Sequence, residues 1–380
     1  MRISIDASGL GLPKTGTAVY IEEILKVWAH CPDFKDQVLI FTTSRGASHL
    51  SGVVGSDCFT LCSAPENRLV RIFWQQAVLP FLLCWHKVDV HWGAGFVLPL
   101  LSNVPGVVTI FDLTFQILPA VHERAKRLYF PAMIRAAVAK ARQVLTISES
   151  AASDLIRLHP QAAGKTHVTL LAPREMRQAA VRADLPTARN LTLRLLFVGT
   201  LEPRKNLKRL LEAWQRIPAE VRSSAELAIV GATGWMINDV IGKSEALERV
   251  SLLGSLSDED LAKEYAKADV FVYPSLYEGF GLPVVEAMAM GLPVLTSDIG
   301  ATREVAGDAA ILVDPYSVDS ICAGLRQLIS NNELRQHLGA KGLKRAAEFS
   351  WNSTANQTLA VVHKAAQSIS RATAKTMTIA

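Results

Sequence analysis

Short runs of β-branched and aliphatic residues alternate with helical stretches along most of this chain. The predicted strands cover residues 2–6, 37–42, 107–110, 144–147, 195–198, 227–230, 250–253, 270–273, 294–296 and 310–313. Strands that alternate with helices predict parallel sheets covered by helices on both faces. The pattern therefore predicts an α/β protein.

The middle of the chain lacks this regular pattern. Residues 173–194 carry mixed charge and Pro186 without a clear period, which is typical of a linker. Because 380 residues exceed what one core commonly holds, two domains are expected. We predict a first domain over residues 1–180, a second over residues 181–350, and a C-terminal segment over residues 351–380.

Composition narrows the class of protein. Apolar residues make up 49% and charged residues 20%, which is typical of a globular protein with a sizeable core. Asp6 interrupts the apolar start where a secretory signal would continue, and glycines and prolines break the uncharged stretch 90–111. The five cysteines form no CxxC pair, so neither a disulfide framework nor a zinc site is indicated. These features predict a cytoplasmic protein.

The net charge of +5 is concentrated in the first half of the chain. The first 180 residues contain 18 Lys or Arg against 13 Asp or Glu, whereas the remainder contains 22 of each. The densest basic segment is 123–142, and Arg68 and Arg71 precede an apolar, Trp-containing stretch. Such helices can lie on an anionic membrane, although a solvated helix beside a core helix explains the pattern equally well. The sequence has no basic motif interleaved with aromatic residues, so a nucleic acid is not expected as a partner.

Loops that follow strands are the expected place for ligand-binding residues in an open α/β sheet. The loop after the first predicted strand, residues 8–17, is rich in glycine and leads into a helix near Ala18. A helix N-terminus presents free N–H groups to an anion. A plain turn is the alternative interpretation of this loop.

The most informative loop follows the predicted strand that ends at Tyr273. It contains Glu278, Gly279 and Gly281, and then a helix whose first turn is predicted to hold Glu286. The glycines allow the main chain to approach a ligand, and its amides suit phosphate. Carboxylates accept hydrogen bonds from sugar and ribose hydroxyls, whereas either one alone could serve as a helix-dipole partner.

A second loop follows the strand that ends before Gly199. Arg204 and Lys205 lie there as adjacent cations, shortly before a predicted helix. Two cations at the end of a strand can neutralise the charge that develops on a diphosphate leaving group. Surface salt bridges are the alternative role.

Both loops carry a resemblance to a known family. Residues 199–207 (GTLEPRKNL) and 278–286 (EGFGLPVVE) resemble the two signatures of family-4 retaining glycosyltransferases, in particular the bacterial mannosyltransferase-B-like subgroup. The resemblance extends over nearly the whole chain and is strongest over residues 195–315. It implies the GT-B fold, with two Rossmann-like doubly wound domains facing across a cleft, and with C-terminal helices that cross back to the first domain.

The resemblance also implies roles for single residues. Lys205 and Arg204 would contact the donor diphosphate, Glu286 would bind the donor ribose, and Glu278 would lie near the transferred sugar. Gly16 would let the first-domain loop approach the donor. The catalytic residues implied are Glu278, Lys205, Arg204 and Asp112, and the donor-binding residues are Gly16, Thr200, Arg204, Lys205, Gly279, Phe280, Gly281, Leu282 and Glu286.

Two positions depart from the family pattern. Thr200 stands where the family often has Arg, so a phosphate contact would come from elsewhere, for example from Arg204. Phe111 precedes Asp112 where the family often has a His that holds an outer sugar hydroxyl, which raises the hypothesis of a 6-deoxy sugar. His91, which follows another predicted strand, could supply the imidazole instead, or be a core histidine.

One acidic run superficially matches the Asp-x-Asp motif of metal-dependent glycosyltransferases. Residues 258–260 (DED) follow Ser257, which is the pattern of a capped helix start. No metal ligand is therefore assigned to them.

The function implied is retaining, metal-independent transfer of a hexose, with mannose from GDP-mannose favoured. The acceptor expected is a lipid-linked saccharide on the inner face of the membrane, and no cofactor is expected beyond the nucleotide-sugar co-substrate. The alternatives are a 6-deoxyhexose transferase, an epimerase or phosphorylase of the same fold, and a noncatalytic nucleotide-sugar-binding protein.

Overall fold

The computed structural model describes residues 1–10, 16–55, 57–122, 124–174, 192–235, 242 and 247–377. Most of the predicted linker and residues 11–15 of the glycine-rich loop lie outside the described residues. Two compact units make up the chain. The first unit comprises Met1–Ile117, His122–Leu171 and Ser350–Ala380, and the second comprises Leu118–Val121 and Ala172–Phe349.

Strands and helices alternate within each unit. The strands are β1 (Arg2–Asp6), β2 (Gln37–Thr42), β3 (Phe59–Ser63), β4 (Val90–Gly93), β5 (Gly106–Ile110), β6 (Gln143–Thr146), β7 (Thr166–Val168), β8 (Leu193–Val198), β9 (Ala225–Val230), β10 (Val250–Gly254), β11 (Val270–Tyr273), β12 (Val294–Ser297) and β13 (Ala310–Val313). The helices are α1 (Gly16–His30), α2 (Ser44–Leu50), α3 (Arg68–Ala77), α4 (Leu79–Trp85), α5 (Thr114–Ile117), α6 (Arg124–Lys140), α7 (Glu149–Leu158), α8 (Leu207–Arg216), α9 (Ala219–Arg222), α10 (Asp258–Lys267), α11 (Leu282–Ala289), α12 (Gly300–Ala306), α13 (Val318–Ser330), α14 (Asn332–Ala346) and α15 (Trp351–Met377).

Each unit contains one parallel sheet of the doubly wound type. The first sheet has the order β3-β2-β1-β4-β5-β6-β7 and the second has the order β10-β9-β8-β11-β12-β13. All of the described strand pairs are parallel. In both sheets the order reverses beside the first strand of the unit, which is the Rossmann arrangement. The predicted α/β class and the two Rossmann-like domains are confirmed.

The ten predicted strands all fall on observed strands, whereas three observed strands, β3, β4 and β7, are not among the predicted ranges. β3 and β7 each pair with a single neighbour and are only partly buried. Central parallel strands are covered on both faces and are therefore largely apolar, as in β11, where every residue is buried. β4 is buried as well, but the polar His91 interrupts its apolar run. β3 and β7 lack this apolar run, so their sequences give little indication of a strand, although the edge strands β10 and β13 of the second sheet were predicted.

Polar side chains define where several helices begin. Side-chain oxygens accept hydrogen bonds from first-turn N–H groups of α7, α10, α13 and α14, and the capping residues are Ser148, Ser257, Ser317 and Asn331. The cap at Ser257 confirms the predicted helix start at residues 258–260. Among the described residues, no helix is both long enough and apolar enough to cross a bilayer.

Gly231 allows two loops of the second unit to pass within contact distance. A Cβ atom at Gly231 would lie 1.9 Å from the carbonyl oxygen of Gly199. Gly199 follows β8, and Gly231 follows β9. The backbone after β8 therefore depends on the absence of a side chain at Gly231.

We expect Gly231→Ala to destabilise the second unit by roughly 1–3 kcal/mol, because the new methyl group would push the backbone at residue 231 away from the backbone of Gly199. Differential scanning calorimetry would measure this as a Tm lower by about 5 °C. Gly52→Ala is the control, since a Cβ at Gly52 meets nothing within 4 Å. Equal unfolding temperatures of the two variants would contradict the steric argument.

Candidate active site

The loops that follow β8 and β11 meet at one edge of the second sheet. β8 and β11 are neighbouring parallel strands, and the strand order reverses between them. At such a reversal the two chains leave in opposite directions and open a crevice at the carboxyl ends of the strands. The predicted cations and Glu278 lie in these two loops.

A tight turn fixes the loop after β8. Residues Pro203–Lys205 form a single 3-10 turn, and Asn206 adopts a left-handed conformation with a φ of 63°. The Asn206 side chain donates to the carbonyl oxygens of Pro274, at 2.9 Å, and Pro315, at 2.7 Å. The Leu276 N–H donates to the carbonyl oxygen of Arg204 at 2.7 Å. These bonds hold the cations of one loop against the other loop.

Glu278 is the centre of a buried ion-paired cluster. Its Oε1 atom accepts from Lys205 Nζ at 2.7 Å, Tyr273 OH at 2.9 Å and Ser275 Oγ at 2.6 Å. Its Oε2 atom accepts from Arg204 Nη1 at 2.7 Å. The structure thus brings together three of the predicted catalytic residues, and both carboxylate oxygens are bound by donors.

The cluster is balanced in charge. Arg204 also pairs through Nε with Glu202, at 2.5 Å, so two cations face two carboxylates. Burial raises the pKa of the Glu278 carboxyl, but Arg204 and Lys205 outweigh burial and lower this pKa to about 2. Burial and the Glu278 charge raise the pKa of Tyr273 well above its usual range. Glu278 is therefore ionised, and Tyr273 remains a hydrogen-bond donor, at neutral pH.

The glycine-rich segment after Glu278 leads into helix α11. Gly281 has a φ of 102° and is the residue immediately before α11. This backbone conformation is one that other residues adopt only with strain, so glycine is required there. Phe280 is buried, and its ring packs edge-on against Phe349 with centroids 5.6 Å apart. Its side chain therefore anchors the loop, and the donor contact of its backbone stays a prediction.

Glu286 lies in the second turn of α11, as its fifth residue, and not in the first turn as predicted. The helix begins at Leu282, and its buried face includes Glu286, whose exposed fraction is 1%. Arg174 donates from Nε to Oε1 at 2.5 Å and from Nη2 to Oε2 at 3.2 Å. Tyr265 OH donates to Oε2 at 3.2 Å.

Arg174 and Tyr265 were not predicted from the sequence. Arg174 was assigned to the linker, whereas the structure places it against the buried carboxylate of Glu286 on helix α11. Arg174 Nη1 also pairs with Asp258 at 2.8 Å, so the first carboxylate of the DED run binds a cation of the protein. Tyr265 lies on the buried face of α10. A tyrosine at such a position is ordinarily a core residue, so nothing in the sequence assigned it to the site.

Thr200, Gly16 and Asp112 occupy positions outside this cluster. Thr200 is exposed in the loop after β8, and Gly16 is the first residue of α1 in the first unit. Asp112 follows β5, and its Oδ1 atom accepts from the Thr114 N–H at 3.0 Å and the Thr114 hydroxyl at 2.7 Å. In the structure, Asp112 therefore caps the beginning of helix α5.

Aromatic side chains surround Phe111. It is buried and makes edge-to-face contacts with Tyr20, at 5.1 Å, and Phe96, at 5.7 Å, between ring centroids. The ring is therefore held mainly by protein contacts within the first unit.

His91 lies inside strand β4, whereas the sequence interpretation had placed it after a strand. Its Nδ1 atom is 2.8 Å from Ser4 Oγ, and burial lowers its pKa to about 4, against the smaller opposing effect of Asp6. The imidazole is therefore a neutral core group.

Sequence comparison places the chain among known glycosyltransferases. The family of glycosyl transferases group 1 matches residues 188–345. The O-antigen chain mannosyltransferase B of Escherichia coli is 31% identical over 94% of this chain and 98% of its own length. The MMP alpha-(1->4)-mannosyltransferase of Mycolicibacterium hassiacum is 37% identical over 59% of this chain and 54% of its own length.

Solved structures share the fold over almost their whole length. Sucrose-phosphate synthase from Thermosynechococcus elongatus superposes with a TM-score of 0.76 at 20% identity, covering 96% of this chain and 98% of that protein. The lipopolysaccharide glycosyltransferase WaaG gives a TM-score of 0.74 at 18% identity, covering 95% and 99%. These likenesses confirm the predicted GT-B fold.

We expect Glu278→Gln to destabilise the protein at neutral pH, because it leaves the buried Lys205 and the partly buried Arg204 with less negative charge. The folded pKa of about 2 lies below the usual value of 4.5, so the ionised carboxylate stabilises the fold above pH 4.5. This contribution decreases as pH falls toward 2, by on the order of 1 kcal/mol between pH 5.5 and 3.5. Urea unfolding of both proteins at these pH values measures the difference.

The matched control is Glu259→Gln, which removes a carboxylate from an exposed ion pair of the same unit. Its effect on stability should be small and should change little over this pH range. A constant difference between wild type and Glu278→Gln at pH 5.5 and 3.5 would show that Glu278 is not held ionised by the cluster.

Proposed function

Because this chain belongs to the glycosyl transferases group 1 family, we propose that it transfers mannose from GDP-mannose to a lipid-linked saccharide. Membership establishes a glycosyltransferase with a nucleotide-sugar donor and a saccharide acceptor. Mannose is supported by the names of the E. coli and M. hassiacum relatives, both mannosyltransferases. An acceptor in O-antigen assembly is supported by the first of these names.

The observation that carries the proposal is the cluster of Arg204, Lys205 and Glu278 at the reversal of the second sheet. It lies where helices α8 and α11 begin, and helix N-termini favour anions. A donor diphosphate would bring negative charge to two cations that are already in place. When the diphosphate binds, Arg204 and Lys205 would interact with its phosphate oxygens as well as with the carboxylates of the cluster.

The cations support a reaction that needs no divalent metal. A metal ion commonly neutralises the charge on a departing diphosphate in sugar transfer. Arg204 and Lys205 would provide two positive charges at the same place, held by Glu278 and Glu202 before the donor binds. We infer that the enzyme is metal-independent and uses no cofactor beyond the donor.

The bonding of Glu278 supports retention without an enzymic nucleophile. Its Oε1 atom already accepts three hydrogen bonds, and a pKa of about 2 marks a weakly basic carboxylate. Glu278 would instead stabilise positive charge on the sugar as the bond between C1 and the phosphate oxygen breaks. That oxygen keeps the electron pair and takes the acceptor's hydroxyl proton, while the acceptor oxygen bonds C1 on the same face.

The first unit carries an apolar surface that supports membrane contact. Leu69, Phe73, Phe81, Trp85, Leu101 and Leu128 are between 64 and 78% exposed. The first four belong to α3 and α4, and Leu128 belongs to the basic helix α6. Exposed aromatic and aliphatic side chains beside cations suit an anionic lipid surface. We propose that this surface holds the enzyme at the inner face of the membrane, where it would meet a lipid-linked acceptor.

Calorimetric titration with GDP, UDP and ADP, with Mg²⁺ and with EDTA, tests the donor site. We expect GDP to bind equally in both buffers, and Glu286→Gln and Lys205→Met to weaken binding by tenfold or more. GDP-mannose should be consumed only with a saccharide acceptor, and NMR should show that the anomeric configuration is retained.

Glu259→Gln serves again as the control and should bind like wild type, because its carboxylate is exposed on α10. If UDP or ADP binds more tightly than GDP, the donor is not GDP-mannose, and the transferred sugar is one carried by the preferred nucleotide. If none of the three nucleotides binds, the transferase proposal is contradicted. If binding strictly requires Mg²⁺, metal independence is contradicted.

Vesicle co-sedimentation tests the membrane surface. Wild-type protein should bind vesicles that contain phosphatidylglycerol more strongly than pure phosphatidylcholine vesicles, and high salt should weaken binding. The triple variant Phe73→Ser, Phe81→Ser, Trp85→Ser should lose most of the binding. Tyr316→Ser, at an exposed aromatic residue of the second unit, should not. Equal binding by both variants would exclude this surface as the contact.

A further inference from the structure

The first unit contains a cavity of about 550 Å³ at the amino ends of strands β4 and β5. Its walls come from α4, from residues 87–89 just before β4, from residues 101–105 just before β5, and from Ala366 of α15. Ligands of an open α/β sheet ordinarily bind at the carboxyl ends of the strands. This cavity therefore lies at the edge of the first sheet opposite to the one where substrates are expected.

The inner wall of the cavity is mainly apolar. Leu83 is fully buried and Val88 is 8% exposed, and both belong to a core cluster against which Val104 packs. Cys84 and Leu101, which also line the cavity, are exposed. The cavity thus reaches from the surface down to the core, and its volume lies in the range of roughly 300–1,000 Å³ that is common for ligand sites.

Helix α4 indicates that the ligand is apolar. Its seven residues carry no charge. Leu79 and Leu83 enter the core, whereas Phe81 and Trp85 are 64% and 72% exposed. A helix that is apolar all round is ordinarily buried in protein or in lipid. Phe81 and Trp85 each follow a residue that lines the cavity, so the apolar surface proposed to contact the membrane continues into the cavity.

Basic groups outnumber acidic ones at the mouth of the cavity. Lys87 lines the cavity and is exposed. The Arg2 side chain donates to the carbonyl oxygen of His86, next to Lys87 in the chain, at 2.6 Å. Asp89 also lines the cavity, and its Oδ2 atom accepts from the backbone N–H of Arg2 at 2.7 Å. Two cations beside one carboxylate suit a phosphate group at the mouth.

We propose that the cavity binds one acyl chain of an anionic phospholipid, with the lipid phosphate at Lys87. This inference rests on the membrane contact proposed above. The position in the sheet identifies the source of the chain. A lipid-linked acceptor must present its saccharide at the carboxyl ends of the strands, so the ligand at the amino ends is a lipid of the bilayer. One chain drawn from the bilayer would hold the first unit more firmly than surface contact alone.

The test uses myristoyl lysophosphatidylglycerol, a single-chain anionic phospholipid, below the concentration at which it forms micelles. Alkylation of Cys84 by N-ethylmaleimide is followed by peptide mass spectrometry, with the exposed Cys31 as the control in the same molecule. We expect saturating lipid to slow alkylation of Cys84 by about fivefold or more and to leave Cys31 unchanged. A chain shorter by two methylenes should bind roughly tenfold more weakly. No protection, or equal protection of both cysteines, would overturn the proposal.

Cavity-filling variants separate the cavity from the exposed surface. Ala366→Phe places a ring in the cavity from α15, and Asn103→Trp does so from an exposed position of the loop before β5. Both should lose the protection of Cys84 by lipid, whereas Phe73→Ser, on α3 outside the cavity, should keep it. Thermal unfolding checks that each variant is folded. Protection as in wild type, in a folded cavity-filling variant, would overturn the proposal.

Lys87→Gln tests where the phosphate lies. Without the charge of this side chain, lysophosphatidylglycerol should bind about fivefold more weakly, and high salt should no longer weaken binding as much as in wild type. Equal affinities of wild type and Lys87→Gln would overturn the placement of the phosphate at the mouth.

The outcomes also distinguish this inference from the proposed membrane contact. If wild-type protein neither binds vesicles nor shows protection of Cys84, both are wrong. If it binds vesicles without protection of Cys84, the membrane contact stands and the acyl-chain site is wrong. If Cys84 is protected although vesicles are not bound, the acyl-chain site stands and the membrane contact is wrong.

Discussion

The buried carboxylate of Glu278 is the constraint on which the second unit's ligand-binding edge depends. A desolvated carboxylate is tolerated only when it is paired and fully hydrogen-bonded. Lys205 and Arg204 come from the loop after β8, whereas Tyr273 and Ser275 come from the end of β11 and the residues after it. The pairing of one charge therefore ties the two loops together, and it fixes both cations at the carboxyl edge of the second sheet.

The same charge balance shapes the chemistry that the site can perform. A carboxylate bound on both oxygens is a poor nucleophile but a good source of fixed negative potential. Cations that are already ordered by that carboxylate need little reorganisation when an anionic leaving group forms. Glu286 follows a related pattern with Arg174, so both acidic residues of the EGFGLPVVE segment are held by arginine or lysine side chains before any ligand binds.

Much of the architecture could be predicted because central parallel strands are apolar on both faces. β8 and β11 were predicted for this reason, and the position of the candidate site followed, since loops at their carboxyl ends must meet if the two strands are neighbours. The edge strands β3 and β7 escaped prediction because they are partly exposed and lack an apolar run, whereas the edge strands β10 and β13 keep enough aliphatic residues to be predicted. His91 was misplaced relative to its strand because a polar residue inside a buried strand interrupts the pattern by which strands are detected.

The sequence by itself determined the α/β class and the presence of two domains, because these depend on local periodicity and on chain length. It also contained the two motifs with Arg204, Lys205, Glu278 and Glu286, whose resemblance to a known family implied the Rossmann-like domains. Only the tertiary structure decided which charges meet. Arg174 reaches Glu286 across 112 residues of sequence, and Lys205 reaches Glu278 across 73. Such pairings depend on the path of the backbone between sheet edges, and on the burial that makes each carboxylate require a cation. Local sequence patterns contain no information about either the backbone path or this burial.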